Sequence, residues 1–422
     1  MLRSLADNSF TVMSCNVAGL PAIISSGNPA ANSVEIGKRL GNWDIVNMQE
    51  DFNYHAQIYS QNKHPHRTPT SGGVPFGSGM NTISKYAFSN ITNLERVKWS
   101  KCNNNEGADC LTPKGFTFLE IQLADGVTFD LYNLHTDAGS KDADLAARRA
   151  NLDQISAFVA ANSKDNAVII MGDTNTRYTR MGDNIRSIVS NLGLVDAWVS
   201  KMRNGVPPAA GADAIVCDKA NVNSQCEVVD KILFRGNKAL KFNLESYSNE
   251  NAAFLDASGK PLSDHYPIAA KFSWSLDPSI RLSNAMGGPH GTHFTGIASA
   301  SAGQTVRSIT IRGGDRVNAV SLAVSAPTEA TFSYGGIGGT ASTLTLAKGE
   351  YIKSLEIHWE KKSGNTRIFY LSAVTSTGRS VSGGKKTSES TIVYAPAGFQ
   401  ISGFHGRAGD EIDAIGAIYT KL

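Results

Sequence analysis

Six apolar stretches in the first two thirds of this 422-residue chain end on, carry or follow residues that can handle a proton, a metal ion or a phosphate oxygen. Phe10 to Cys15 runs into Asn16, Asp44 to Gln49 into Glu50-Asp51, and Val127 to Leu134 into His135. Val168 to Met171 runs into Gly172-Asp173-Thr174-Asn175. Val229 to Phe234 carries Asp230, and Ser263-Asp264-His265-Tyr266-Pro267 precedes Ile268 to Trp274. Taken singly, each has an ordinary explanation: a strand-end Asp or Asn caps a turn, and a lone His satisfies a local hydrogen bond. Together they supply what hydrolysis of a phosphodiester needs. Carboxylate and amide oxygens of Glu50 and Asn16 suit a hard divalent cation. His265, oriented by Asp230 or a neighbour, suits a general base for water. His135 and the Asn175 amide can face the charge that builds on phosphorus.

The elements that must position these groups follow from the spacing of apolar residues. The stretches above, with Phe116 to Gln122, read as short strands. Asp142 to Ala161 reads as a helix: Leu145, Leu152, Ile155 and Val159 repeat at helical spacing, and Asp142 can cap it. Interleaved strands and helices imply a layered α/β domain over residues 9–274. Near residues 275–284 the grammar changes, and this segment is expected to be a linker. Residues 285–421 are strand and glycine: Arg307–Arg312, Val317–Val324, Tyr351–Trp359, Arg367–Val374, Phe399–Phe404 and Ala414–Tyr419. Glycine clusters at 287–288, 335–339 and 383–384 recur about every 50 residues, which fits three related β units or ordinary hairpin turns.

Composition narrows the class. Charged residues make up 18% and the net charge is +3, so nucleic-acid binding by charge alone is not expected. No apolar run approaches the roughly 18 residues of a membrane helix. Cys102 with Cys110 and Cys217 with Cys226 lie in polar loops and are expected to form two disulfides, hence an oxidising compartment; zinc is the rival reading. Cys15 reads as a core residue. Asn90-Ile91-Thr92 is a glycosylation sequon. Residues 1–9 carry no apolar signal core, so a secreted form would begin here as a mature or engineered chain.

Asn16, Gln49-Glu50, His135, Gly172-Asp173-x-Asn175, Asp230 and Ser263-Asp264-His265-x-Pro267 resemble, in order, the motifs of the endonuclease/exonuclease/phosphatase superfamily. The resemblance spans about residues 9–274. It implies a four-layer α/β sandwich with two central sheets, and Mg²⁺ (or Mn²⁺ or Ca²⁺) on Glu50 helped by Asn16, with Asp264 completing the metal side. It further implies that Asp173 and Asn175 position water and phosphate, that His265 is a base oriented by Asp230, and that His135 contacts the phosphate. Within that superfamily, Lys101-Cys102, Asp109-Cys110-Leu111 and Lys114-Gly115-Phe116 resemble a segment of secreted bacterial sphingomyelinases. The aromatic-tipped membrane hairpin of those enzymes is not found; the stretch before Asp264 is polar. Arg177 and Arg180 could grip a second anionic group or be solvated loop residues. His55, His64, His66 and Arg67 could line the cleft or simply order a polar loop.

Residues 285–421 resemble a jacalin-related lectin, an all-β prism of three four-stranded sheets. The carrying segments are Gly288-Pro289-His290-Gly291, Val306 to Ile311, the glycine turn at 335–339, and Gly403 to Gly416. The resemblance implies a sugar site where the Gly409–Asp413 loop meets the first glycine turn, with Gly291, Asp410, Glu411 and Asp413 as its residues and mannose- or glucose-type ligands. The leading expectation is a secreted, monomeric, metal-dependent phosphodiesterase, phospholipase C-like on a sphingolipid or phospholipid headgroup and carried to surface glycans by its lectin. The alternatives are a secreted nuclease and a lectin with a non-catalytic or effector N-terminal domain.

Overall fold

The computed structural model describes residues 8–23, 25, 27–89, 94–105, 109–219 and 221–422; the sequon at Asn90 lies outside them. The first part supplies β1 (Ser9–Asn16), β2 (Ile45–Gln49), β3 (His66–Arg67), β4 (Asn81–Ser84), β5 (Ala87–Phe88), β6 (Glu95–Lys98) and β7 (Gly115–Ala124). β8 (Val127–His135), β9 (Val168–Asp173), β10 (Val195–Asp196), β11 (Asp230–Arg235), β12 (Leu240–Asn249) and β13 (Ile268–Leu276) follow. Its helices are α1 (Pro29–Arg39), α2 (His55–Gln61), α3 (Asp142–Asn162), α4 (Ile185–Asn191) and α5 (Ala197–Met202).

β2 and β9 are buried on both faces; β9 therefore opens as an apolar run, Val168 to Met171, whereas β2 buries Asn47 and Gln49 among its apolar residues. One sheet runs β12-β13-β1-β2-β4-β3 and the other β10-β11-β9-β8-β7-β5, with β6 also on β7. Their inner faces share one core, in which Phe10, Val12 and Phe272 meet Phe129, Leu131 and Ile170. Ile36 and Ile58 of α1 and α2 cover the outer face of the first sheet against Met13, Val46 and Met48. Leu152, Ile155 and Val159 of α3 join the core of the second. The result is a four-layer α/β sandwich. The helix expected over 142–161 forms, but Asp142 does not cap it. Lys141 is the boundary residue, and its N–H donates to Asp144 Oδ2 (3.3 Å), three positions into the helix.

Parallel pairing of β1 with β2 sets Asn16 opposite Gln49, and parallel pairing of β8 with β9 sets His135 opposite Asp173. Asp230, at the start of antiparallel β11, also lies opposite Asp173. These strand ends therefore meet at one end of the sandwich. A buried polar layer ties the two sheets together just beneath it. Asn47 Nδ2 donates to the carbonyls of Tyr132 (3.0 Å) and Met171 (3.2 Å), Gln49 Nε2 to Asn133 Oδ1 (2.7 Å), and Asn133 Nδ2 to Met48 O (2.9 Å). Buried amides so fully bonded fix the relative position of the sheets.

The second part supplies β14 (Ile280–Leu282), β15 (Met286–Gly287), β16 (Thr292–Thr295), β17 (Thr305–Gly313), β18 (Val317–Ala326), β19 (Ala330–Gly335) and β20 (Thr340–Thr345). β21 (Ile352–Lys362), β22 (Asn365–Thr375), β23 (Ser380–Gly384), β24 (Glu389–Tyr394), β25 (Phe399–Ala408) and β26 (Ile412–Lys421) complete it. Three four-stranded groups enclose a second core: β19-β18-β17-β20, β24-β21-β22-β23 and β16-β25-β26-β15. The last two touch through the single pairing Ile352–Ile401. Gly287, Gly335 and Gly384 close β15, β19 and β23 with φ of +123°, +98° and +91°. A Cβ at each would fall 2.2, 2.1 or 1.9 Å from a carbonyl oxygen of the adjacent strand. The glycine clusters are thus one steric requirement met three times, not independent hairpin turns.

Residues 275–284 are not a free tether. β13 continues to Leu276, and β14 pairs with β26, Ile280 opposite Thr420. The β7–β8 turn docks there: Gly126 N–H donates to Asn284 Oδ1 (2.7 Å), and a Cβ on Gly126 would lie 1.9 Å from Leu282 O. Ala239 joins Ile280, Ile297, Ala300 and Ile418 in a small shared core. The β-prism therefore covers the end of the sandwich opposite the strand ends that carry Asn16, Glu50, His135 and Asp173.

Candidate active site

Asp173 is the hub. Its Oδ2 accepts from Asn16 Nδ2 (3.2 Å) and lies 3.2 Å from His135 Nε2 and 3.5 Å from His265 Nε2. Its Oδ1 accepts from Asn175 N–H (2.9 Å), which fixes the turn after β9. Asn16 Nδ2 also donates to Glu50 Oε1 (3.1 Å), so one amide joins the carboxylates of the two sheets. His265 Nδ1 bonds Asp230 Oδ2 (3.0 Å), leaving Nε2 facing Asp173. His265 is placed by its own loop, where Ser263 Oγ accepts its N–H (3.1 Å) and donates to Asn16 O (2.7 Å). Glu50 and Asn175 have φ of +56° and +48°. Two non-glycine residues held in the left-handed region at one site are local strain kept where chemistry is placed.

Charge follows from burial and neighbours. Burial pushes the Glu50 carboxyl up, opposed by Lys114, His265 and the Asn16 amide. Burial also raises Asp173, with His265 opposing. Burial, then Lys114 and His265, hold His135 well below the ordinary imidazole range, so it is neutral. At His265 burial pulls downward, but Asp173, Asp230 and Asp264 outweigh it and the imidazole titrates well above its usual range. Two imidazoles at one carboxylate, pushed in opposite directions, are suited to distinct proton roles.

Lys114 and Asp109, given no role from sequence, belong to this set. Lys114 Nζ lies 2.9 Å from His135 Nε2 and pairs with Asp109. Asp109 Oδ2 in turn accepts from Ala138 N–H (3.1 Å), just after His135. The signal available was the Asp109…Lys114 segment preceding β7. The disulfide Cys102–Cys110 (Cα–Cα 5.5 Å) closes the loop that holds Asp109; Cys217–Cys226 forms likewise (5.4 Å), and Cys15 is free and buried.

Other expected residues lie elsewhere. His66 and Arg67 sit on β3 opposite Ser84 and Ile83, at the far end of β4 from Asn81. Arg67 is consumed by the carbonyls of His64, Tyr59 and Asn62, and His66 packs on Phe88, so neither lines the cleft. His64 is buried between Asn62 and Trp43 O, whereas His55 bonds Asp51 (2.6 Å), the neighbour of Glu50. Arg177 and Arg180 do not reach out to an anion. Arg177 donates to Glu227 O, and Arg180 donates to Asn175 O (2.8 Å) and Asp183 (3.2 Å), so both brace the loop carrying Asn175. Asp264 is exposed, beside Lys219, Lys260 and Tyr266 in an open cleft of about 490 Å³.

In the β-prism, Gly291, Gly409, Asp410, Glu411 and Asp413 line a cleft of about 350 Å³ with Lys362, Asn365 and Arg367. Gly291 has φ of +74°, and a Cβ on it would lie 2.7 Å from the Ala408 carbonyl carbon and against Asp413 Oδ2, so glycine lets the two loops meet. Asp413 pairs with Arg367. Glu411 is held by Arg316 (2.6 Å) and Lys362 (3.3 Å), so its carboxylate serves the loop rather than standing free for a ligand.

The fold and these sites define the class of each half. Residues 31–200 match the model of endonuclease/exonuclease/phosphatase family 2, and residues 283–418 match that of the jacalin-like lectin domain. The chain joins an endonuclease/exonuclease/phosphatase domain to a jacalin-like lectin domain. Among relatives, it is 35% identical over 277 residues to a sphingomyelinase of Mycobacterium tuberculosis, covering 64% of this chain and 53% of that one. The chain thus spans about half the length of that relative. It is 37% identical over 95 residues to jacalin-related lectin 22 of Arabidopsis thaliana, covering 22% and 20% of the two chains. The solved β toxin of Staphylococcus aureus is 20% identical, covering 62% of this chain and 99% of that one, with a TM-score of 0.42. Among the described residues, no helix is long and apolar enough to cross a membrane.

Proposed function

We propose that the chain is a secreted, Mg²⁺-dependent phosphodiesterase acting on a sphingolipid or related phospholipid headgroup and held near its substrate by a glycan-binding lectin. The observation that carries the catalytic reading is the convergence of Asn16, His135 and His265 on one oxygen of Asp173, with Asp230 behind His265. The donor set fits a hard cation. Glu50 and Asp173 present oxygens on either side of the Asn16 amide, and Asp264 adds negative charge toward Glu50. Asp173, Asp230 and His265 also offer ligand atoms within 4.8 Å of one another, but the His265–Asp230 bond already uses one of them. A divalent ion held by Glu50 and Asn16, with Asp264 nearby, would supply Lewis-acid polarisation of a phosphoryl oxygen.

The chain's own groups do the rest. His265 Nε2 takes the proton of an attacking water, and Asp230 fixes its tautomer through Nδ1. Neutral His135, the Lys114 ammonium and the Asn175 amide face the developing phosphate charge. The lectin cleft around Gly291, Asp410 and Asp413 takes mannose- or glucose-type sugars, which raises the local concentration of a monomeric enzyme at a coated surface. The identity to a sphingomyelinase favours a lipid over DNA. A panel of sphingomyelin, phosphoinositides, plasmid DNA and a chromogenic phosphodiester, each with and without chelator, tests this. Chelator-sensitive release of phosphocholine from sphingomyelin is expected; cleavage of plasmid alone would assign the site to a nuclease.

A further inference from the structure

Among the described residues, seven large apolar side chains of the sandwich domain are exposed, and six of them lie on loops at the catalytic end. Ile23 (93% exposed) is on the loop leaving β1 just after Asn16. Phe76 (84%) is on the loop entering β4, which rests on Asn53 through Val74 N–H (3.3 Å). Leu111 directly follows the Cys102–Cys110 disulfide on the segment that leads to Lys114, and Met181 (67%) is on the loop after Asn175. Val206 and Val216 are on the segment between α5 and Asp230. The seventh, Val195, pairs with Phe234 near the other end of β11.

We propose that these six tips form a docking surface for the face of a lipid bilayer around the active-site mouth. The proposal rests on the phospholipid reading above and deepens it, by giving the site a way to reach an aggregated substrate. A protein partner selects a contiguous apolar patch with a packed centre. Here the apolar groups are spread over five loops, with polar residues between them. A fluid acyl boundary accepts such spacing, because each side chain inserts independently and their contributions add. Exposed Lys219 and Lys260 flank the cleft beside Asp264, where cations meet headgroup phosphates. The opposite end is covered by the β-prism, so the catalytic end is the one left free to lie against a surface. Each tip is too short to register as an apolar segment in sequence.

The test is flotation of the full chain carrying Glu50→Gln, which keeps lipid intact, with glycan-free phosphatidylcholine/sphingomyelin vesicles. The protein should float with them, and adding Ile23→Ser and Phe76→Ala should weaken the partition by about tenfold or more. The same two substitutions in the otherwise wild-type chain should leave turnover of a soluble chromogenic phosphodiester unchanged, which also shows that the variant folds. No flotation, equal flotation of the substituted protein, or retention on duplex DNA in place of vesicles would overturn the surface. Flotation that depends on the tips, in an enzyme that cleaves only DNA, would keep the surface and reject the lipid phosphodiesterase reading.

Discussion

His265 is the residue whose surroundings make the sharpest demand. Burial alone would push its proton off, yet Asp173, Asp230 and Asp264 hold the imidazole protonated well above the usual pH. A general base must be neutral, so activity falls as pH drops through this pKa, and the acid limb of the rate profile lies above about pH 6.5. Asp230→Asn removes one carboxylate that favours the imidazolium. The limb should therefore move to lower pH while kcat falls by about a hundredfold through loss of the oriented tautomer. A pH–rate profile on a soluble diester checks both, and a limb that stays in place counts against Asp230 as the partner. Lys114 carries a second demand. Lys114→Met should lower kcat by about ten- to a hundredfold, since the cation beside His135 is lost. Wild-type turnover in that variant, measured on the same diester, would reduce Lys114 to a loop anchor.

At the scale of elements, the pseudo-repeat of the β-prism rests on glycines that touch neighbouring strands. Gly335→Ala would set a methyl 2.1 Å from Asn318 O at a φ of +98°, and should cost about 2–4 kcal/mol. Gly303→Ala, at φ +68° with open space around it, should cost only about 1 kcal/mol. Calorimetry of the two variants separates contact from backbone strain; equal losses would mean the close approach is not what fixes glycine there. The same distinction explains what was legible in sequence. Strands β1, β2, β8, β9, β11 and β13 and helix α3 show themselves because continuous or periodic apolar residues fix their type. The polar groups that meet at the strand ends were legible because an abrupt polar residue after an apolar run stands out. Helices α1 and α2 were missed: α1 opens Pro-Ala-Ala-Asn-Ser, and its buried stripe is only Pro29, Ser33, Ile36 and Gly37. The interior fates of Arg67, Arg177 and Arg180 were illegible, because a guanidinium that collects backbone carbonyls reads the same in sequence as one awaiting an anion. Asn47 and Asn133 were invisible for a related reason, since their partners lie on the other sheet.

At the scale of the whole molecule, the joint between the two halves is polar and titratable. Glu120 and Asp130 line its cavity with His293 and His405. Burial, then Asp130, pushes Glu120 up to about 7, while burial holds His405 down at about 4. A carboxyl raised in the fold binds its proton more tightly folded than unfolded, so its contribution is present at low pH and is lost as pH rises toward 7. Glu120→Gln should therefore raise folding stability at pH 8, by on the order of 1 kcal/mol and with a higher Tm, and leave both nearly unchanged at pH 5. Thermal melts at the two pH values decide it, and an equal shift at both would show that ionisation is not the cause. This joint lies opposite the catalytic end, so sugar binding and hydrolysis are expected to act as separate functions in one rigid body. The central claim is that the strand ends of the sandwich form a metal-dependent phosphodiester hydrolase. It is tested most directly by the turnover of a soluble chromogenic phosphodiester by the full chain, with Mg²⁺, with excess chelator, and with Glu50→Gln in Mg²⁺. The expected result is turnover with Mg²⁺, its loss on chelation with recovery on Mg²⁺ addition, and a Glu50→Gln rate lower by at least about a hundredfold. Turnover that survives both chelation and the substitution would contradict the account.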